Sequence, residues 1–140
     1  MVIVGRALTI IPWNPGLEIG HAEIDRQHRG LVATLNRLYD MAMIGRGREE
    51  LIVLVEEFER QTEQHFASEE RLMDEIAYEQ REAHRQEHRS MLDEIHRYCD
   101  DCVLGHGDPR ALITYFQASF VRHLGAADRD FGATLAASGG

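Results

Sequence analysis

The sequence predicts an all-α protein, an antiparallel up-down four-helix bundle preceded by an irregular N-terminal arm. Three observations support this fold class. Apolar residues recur in four segments with alternating gaps of four and three residues, which is the period of one helical face. Short turns containing glycine or proline separate these segments, and no segment shows the alternation typical of a half-buried strand. Such short connections favour consecutive helices that pack side by side in opposite directions.

The first two predicted helices are separated by Gly45-Arg46-Gly47, because glycine readily adopts the left-handed conformation that ends a helix. The inward face of the first helix comprises Ile24, His28, Leu31, Leu35, Leu38 and Ala42. That of the second helix comprises Leu51, Val55, Phe58, Thr62, His65, Glu69, Leu72 and Ile76. Each face follows the helical period over five turns or more, so both segments are predicted to be long amphipathic helices.

The third and fourth helices are bounded by recognisable end signals. The third is predicted to end at Gly105-His106-Gly107, and the fourth to begin at Asp108-Pro109, a capping carboxylate followed by proline in the first turn. The inward face of the third helix comprises His84, His88, Leu92, Ile95, Cys99 and Cys102. That of the fourth comprises Leu112, Phe116, either Ser119 or Phe120, and His123.

Length and charge limit the domain organisation and the partners. A chain of 140 residues fits one domain over 1–140, with the arm at 1–19 and the bundle at about 20–130. The net charge is −9 and every basic side chain is arginine, so we expect neither nucleic acid nor an anionic membrane surface as a partner. The apolar start is too short for a secretory signal, and no stretch approaches the roughly 18 apolar residues of a membrane span. We therefore expect a cytoplasmic protein.

Ionisable residues interrupt the apolar faces on all four helices. They are His28, His65, Glu69, His84, His88 and His123. Burying these groups without partners would cost several kcal/mol. His65 and Glu69 are four residues apart, as are His84 and His88. This spacing places the two side chains of each pair one turn apart on the same face, where they can ligate neighbouring metal atoms. A single inward histidine is more often a hydrogen-bonded core residue, but convergence from four helices favours a metal site.

These residues and their neighbours resemble the hemerythrins, most closely the single-domain bacteriohemerythrins. The resemblance extends along the chain through Trp13, Ile24-Asp25-Arg26-Gln27-His28, His65-Phe66-x-x-Glu69-Glu70-x-x-Met73, Tyr78, His84-x3-His88 and His123-x4-Asp128. It implies a non-haem di-iron centre with a bridging oxo or hydroxo group. One iron would be bound by His84, His88 and His123 and the other by His28 and His65, with Glu69 and Asp128 bridging them.

Asp128 enters this set through the resemblance only. Five residues beyond His123, it is rotated by about 140° on an ideal helix, so spacing alone would leave it out. We expect the helix to loosen after Gly125, so that the carboxylate reaches the site from its flank.

The resemblance implies reversible dioxygen binding for storage, carriage or delivery, without catalytic turnover. Dioxygen would bind the iron held by His28 and His65, with Phe120 as a candidate pocket residue. Five histidines with two carboxylates suit iron and differ from the carboxylate-rich ligand sets of ferritin-like enzymes. Two alternatives stay open: a di-iron enzyme that acts on peroxide or nitric oxide or donates iron for cluster repair, and an oxygen or redox sensor acting through a partner protein.

Two cysteines and three further histidines, His21 among them, are weaker functional candidates. Cys99 and Cys102 form a C-x-x-C that could relay electrons, but near a helix C-terminus and beside two aspartates they are interpreted as small core residues. His21, His96 and His106 have no partner at ligand spacing and are expected to be solvated or to lie beside the ligands without binding the metal.

Overall fold

The computed structural model describes residues 2–4, 7–9, 19–44, 47–105, 108–123 and 129–137. Its elements are the strands β1 (Val2–Val4) and β2 (Ala7–Thr9) and the helices α1 (Ala22–Ile44), α2 (Arg48–Glu75), α3 (Arg81–Leu104), α4 (Pro109–His123) and α5 (Arg129–Ala137). Helices α1 to α4 pack in a closed ring in which α1 contacts α2 and α4, and α3 contacts the same two helices. The all-α bundle is therefore confirmed. None of the helices in these described ranges is both long and apolar enough to cross a membrane.

The helix ends follow the local signals where the sequence carried them. Gly105 ends α3 in the left-handed conformation, with φ of 81°. The Oδ1 of Asp108 accepts a hydrogen bond from the backbone N–H of Arg110 at 2.9 Å, which caps α4. Helix α2 ends without a glycine signal: Ala77 has φ of 51°, and the N–H of Tyr78 donates to the carbonyl of Met73 at 2.8 Å. This is a Schellman motif with alanine in the position that glycine usually fills.

Most of the interior is apolar. The predicted stripes supply most of the main cluster, but Val32, Leu54, Phe66, Met91 and Ile113, which lie off the predicted faces, are also buried in it. At the centre, the rings of Phe58 and Phe116 meet edge to face with centroids 4.5 Å apart. The main apolar cluster comprises Leu31, Val32, Leu35, Leu38, Leu54, Val55, Phe58, Phe66, Met91, Ile95, Cys99, Cys102, Leu112, Ile113 and Phe116.

The N-terminal arm is more regular than the sequence predicted. Strands β1 and β2 pair antiparallel, with Val2 opposite Thr9, Ile3 opposite Leu8 and Val4 opposite Ala7. The prediction of an irregular arm is wrong for these residues. The physical reason is that valine, isoleucine and threonine favour extended backbone, and the two runs are close enough in sequence to pair with each other.

Helix α5 was not predicted, because the bundle was expected to end near residue 130. Its Phe131 and Leu135 are buried in a second apolar cluster with Ile24, Leu72, Met73 and Tyr78. A Cβ added to Gly132 would lie 2.7 Å from the Cβ of Ile19 and 2.9 Å from its carbonyl oxygen. The nine-residue helix therefore packs tightly across the end of the bundle, near the start of α1.

Candidate metal centre

Six ionisable side chains meet inside the bundle. His28 comes from α1, His65 and Glu69 from α2, His84 and His88 from α3, and His123 from α4. All six are buried, none being more than 3% exposed. The structure thus brings together six of the seven predicted ligands. Asp128, the expected loosening after Gly125, Trp13, His106 and the side chain of Phe120 lie outside what the structure describes.

One half of the cluster is the three-histidine group, His84, His88 and His123. Their Nε2 atoms lie 3.2, 3.0 and 3.9 Å from Oε1 of Glu69. The Nε2 atoms of His88 and His123 are themselves 3.3 Å apart. Four potential ligand atoms from three helices therefore surround one small space.

The other half is the two-histidine group, His28 and His65. Their Nε2 atoms lie 2.9 Å apart, and Oε2 of Glu69 is 3.8 Å from the first and 3.3 Å from the second. Within the described part of the chain this oxygen makes no hydrogen bond. Glu69 thus directs one oxygen toward each group, the arrangement expected of a carboxylate that bridges two metal ions.

Helices α1, α2 and α3 each supply a polar residue, adjacent in sequence to an inward residue, that contacts a histidine on the next helix. The Nδ1 of His65 lies 2.8 Å from Oε1 of Gln27 on α1. Glu70 on α2 accepts from Nδ1 of His88 at 3.0 Å. Glu87 on α3 accepts from Nδ1 of His123 at 2.8 Å.

The hydrogen bonds to the Nδ1 atoms determine the direction of the lone pairs on the Nε2 atoms. Since a carboxylate only accepts, the Nδ1 atoms of His88 and His123 carry the protons and their Nε2 atoms present lone pairs to the interior. Two lone pairs at 3.3 Å, both close to a carboxylate oxygen, repel each other unless a cation lies among them. The donor set therefore fits a metal ion better than a hydrogen-bonded polar core.

The carboxylates of the site are held ionised. Burial alone would raise the pKa of Glu69, but electrostatic attraction to His65 and polar contacts with the surrounding histidines hold it well below its ordinary value. A hydrogen bond from His88 lowers the pKa of Glu70, and one from His123 lowers that of Glu87. An ionised carboxylate at the centre of a buried cluster requires positive charge beside it, which a bound cation would supply.

Aromatic rings cover the histidines. Phe66 stacks on His88 with centroids 3.9 Å apart and planes inclined by 5°. On the α5 side, the rings of Phe131 and Tyr78 lie 5.9 and 6.4 Å from that of His84. These apolar surfaces exclude water from the described part of the site and strengthen electrostatic interactions inside it.

Sequence reasoning missed the outer partners Gln27, Glu70 and Glu87. Each is adjacent in sequence to an inward residue, and one position along a helix turns a side chain by about 100° toward the neighbouring helix. A polar residue at that offset is a usable signal, but on charge-rich helices it does not distinguish a histidine partner from a solvated side chain.

Two features outside the six-residue cluster, His96 and the Cys99/Cys102 pair, have different surroundings. His96 has no partner at ligand spacing within α3, but its Nδ1 lies 2.5 Å from Oε2 of Glu59 on α2, and Glu63 is also within reach of a shared ion. Cys99 and Cys102 are buried and form no disulfide. Burial raises the pKa of the Cys99 thiol, and this residue lies about 16 Å along α3 from His88, so its surroundings favour packing over electron relay.

Comparisons with known proteins give a family match and several relatives. The family model described as "Hemerythrin HHE cation binding domain" matches residues 20–135. A bacteriohemerythrin of Pseudomonas aeruginosa is 33% identical over 86 residues, which cover 61% of this chain and 56% of the relative. The match therefore spans little more than half the length of that relative. A bacteriohemerythrin of Ralstonia nicotianae is 27% identical over 135 residues, 94% of this chain and 93% of the relative.

The solved structures that share this fold include a crystal structure of a hemerythrin mutant. It superimposes with a TM-score of 0.85 at 22% identity, covering 91% of this chain and 98% of the other. This similarity supports the four-helix architecture in which the six side chains converge.

Proposed function

This chain belongs to the hemerythrin family, and from that premise we propose that it is a non-haem di-iron protein that binds dioxygen reversibly for storage, carriage or delivery. The observation that carries the proposal is the shared carboxylate: Glu69 directs one oxygen toward three buried histidines and the other toward two. Two groups of ligands joined in this way suit a pair of metal ions rather than one.

The residues fit the cofactor as follows. We assign His84, His88 and His123 to one iron, and His28 and His65 to the other. Glu69 would hold both irons, and the family resemblance implies that Asp128 and an oxo or hydroxo group would do so as well. When bound, the two ferrous ions supply the electrons that dioxygen accepts reversibly. The two-histidine group provides one protein ligand fewer, so we place dioxygen there, with Phe120 as a candidate pocket residue.

The side chains around the ligands favour binding over turnover. An enzyme that reduces peroxide or nitric oxide needs an acid beside the reacting ligand to deliver protons. Among the described residues, the buried acids are Glu69 and Asp25. Glu69 is a proposed ligand, and Asp25 accepts hydrogen bonds from the backbone N–H groups of Ile19 and Gly20. Glu70 and Glu87 contact the outer nitrogens of their histidines and face away from the inner space.

Optical spectroscopy of iron-loaded protein tests the proposal. Anaerobically reduced protein should be nearly colourless, should gain visible absorption in air, and should return to its first spectrum under argon with its iron still ferrous. His65→Ala should abolish this cycle. His96→Ala removes a half-exposed histidine from the neighbouring helix and should leave the cycle intact.

Three results would contradict the assignment. Irreversible oxidation in air followed by repeated turnover with a reductant and peroxide or nitric oxide would identify an enzyme. Release of iron to an apo cluster protein would identify an iron donor. An oxygen-dependent complex with a second protein would favour a sensor.

A further inference from the structure

The outer partners of the histidines differ between the two halves of the centre. On the three-histidine side they are the carboxylates of Glu70 and Glu87. On the two-histidine side His65 is held by Gln27, a neutral amide. The Nε2 of Gln27 in turn donates to Oγ of Ser68 at 3.0 Å, so the amide has polar partners at both ends.

This difference matters because an amide can reverse its role and a carboxylate cannot. An ionised carboxylate only accepts, so it keeps the proton of its histidine on Nδ1 and the lone pair on Nε2, ready for a metal. An amide turned by half a rotation presents its NH₂ to the histidine instead. The hydroxyl of Ser68 can donate or accept, so it satisfies Gln27 in both orientations.

The turned amide would give His65 a metal-free state in which both of its ring nitrogens are hydrogen-bonded. Gln27 would donate to Nδ1 of His65, and neutral His65 would carry its single proton on Nε2. That Nε2–H has two acceptors within reach, Nε2 of His28 at 2.9 Å and Oε2 of Glu69 at 3.3 Å. Compared with the metal-binding tautomer, the proton of His65 moves from Nδ1 to Nε2. The charge of the histidine therefore does not change.

We propose that Gln27 is a positioning residue for His65 that makes the two-histidine group the exchangeable half of the dinuclear centre. The metal ion of this group binds last and dissociates first. The three-histidine group has no such alternative, because its two carboxylate partners keep the lone pairs of His88 and His123 directed inward. The inference rests on the proposed function in taking the cofactor to be a pair of metal ions. It adds which half is labile and which residue makes it so.

Release of iron to a colorimetric ferrous chelator tests this without any dioxygen. The measurement starts from anaerobic diferrous protein in a His96→Ala background, because His96, Glu59 and Glu63 could retain a stray ion. We expect two phases of about one iron each. Gln27→Glu should slow the fast phase about 10- to 100-fold, the size of effect that outer-shell partners have on metal affinity, and leave the slow phase unchanged.

The matched control is Glu87→Gln, which places an amide beside His123 and should accelerate the slow phase instead. A second readout reports the tautomer directly. In zinc-loaded protein from which one equivalent has been removed, ¹⁵N NMR should show a protonated Nε2 on His65, and Gln27→Glu should move that proton to Nδ1. A merely structural role for Gln27 would not produce this movement.

The outcomes separate the two proposals. If two phases appear but Gln27→Glu changes neither, or slows both equally, Gln27 does not control lability and this inference is wrong. An unprotonated Nε2 on His65 in the half-loaded wild type would also overturn it. Release of only one metal per chain would contradict the dinuclear centre, and the proposed function would fail with it.

Discussion

The two ends of the bundle interior are built from the same helical repeat but differ in what they need to be stable. Toward the turn between α1 and α2, the inward positions are apolar, with Phe58 and Phe116 at the centre. Toward the turn between α2 and α3, the same faces carry five histidines and Glu69. Apolar side chains satisfy one another by contact, whereas buried ionisable groups require a partner of opposite charge.

The two ends of the interior therefore contribute differently to folding and to ion binding. The apolar end provides most of the buried hydrophobic surface and therefore most of the favourable free energy of folding. The polar end adds stability only when its ligand atoms are compensated, which makes it the part of the interior whose stability depends on a bound ion. Changes at the two ends should therefore have separable effects on metal content and on unfolding.

The largest separation is expected from Glu69→Gln. Because Glu69 is the only described carboxylate between the two groups, its replacement by a neutral amide should reduce iron from about two per chain to nearly none. Helix content should stay close to that of the wild type. Iron analysis together with far-ultraviolet circular dichroism measures both effects. Glu56→Gln, which changes an exposed carboxylate on the same helix, is the matched control, and equal iron loss in the control would contradict the bridging role.

Phe58→Ala should give the reverse result. Removing a fully buried ring from the apolar end should lower the free energy of unfolding by about 3–5 kcal/mol while the folded protein keeps its iron. Urea unfolding of metal-loaded protein measures the change. Val53→Ala, at a position 63% exposed on the same helix, should stay within about 0.5 kcal/mol. Iron loss in folded Phe58→Ala would show that the two ends are coupled.

A smaller effect is expected at the turn beside the metal centre. Ala77 adopts a left-handed conformation that costs a residue with a Cβ roughly 1 kcal/mol, so Ala77→Gly should raise the unfolding free energy by up to about that amount. Ala33→Gly, within an exposed part of α1, should lower it by about 1 kcal/mol. Thermal melts of both variants provide the comparison. Destabilisation by Ala77→Gly would argue against strain at this position.

The smallest expected effect is a pH dependence from outside the centre. A hydrogen bond from Glu59, aided by nearby acids, raises the pKa of His96 above its ordinary value of 6.5. A raised pKa in the folded state means that the pair stabilises fully below pH 6.5 and loses its contribution as the pH rises through the folded value. Urea midpoints should therefore decline above pH 6.5, and the decline should be shallower in Glu59→Gln. An unchanged slope would contradict the linkage.

The bundle and the convergence of its inward ionisable side chains were predictable because both depend on helical periodicity. The four-three spacing that indicates a buried apolar face also identifies inward histidines. The closeness of His28 and His65 follows from their similar distances along the chain from the turn at Gly45-Arg46-Gly47. The assignment of individual residues to individual irons depended on resemblance to a family.

The features that were missed depend on contacts between helices. Gln27 and Glu87 lie off the inward stripes, and only the actual approach of neighbouring helices shows that they reach His65 and His123. Helix α5 was missed because its nine residues are too few to establish a periodic pattern. The partnership of His96 with Glu59 likewise joins two helices, and no spacing within α3 could reveal it.

The contact between Gly132 and Ile19 limits how this end of the molecule can vary. The carbonyl oxygen of Ile19, 2.9 Å from where a Cβ would lie, belongs to the main chain and cannot turn aside as a side chain would. A methyl group at position 132 would clash with this oxygen and tilt α5 away from the residues that precede α1. Phe131, the adjoining residue, would move with it and leave one face of His84 open to water. The exclusion of water from the candidate metal centre therefore depends on the absence of a side chain at Gly132 on α5.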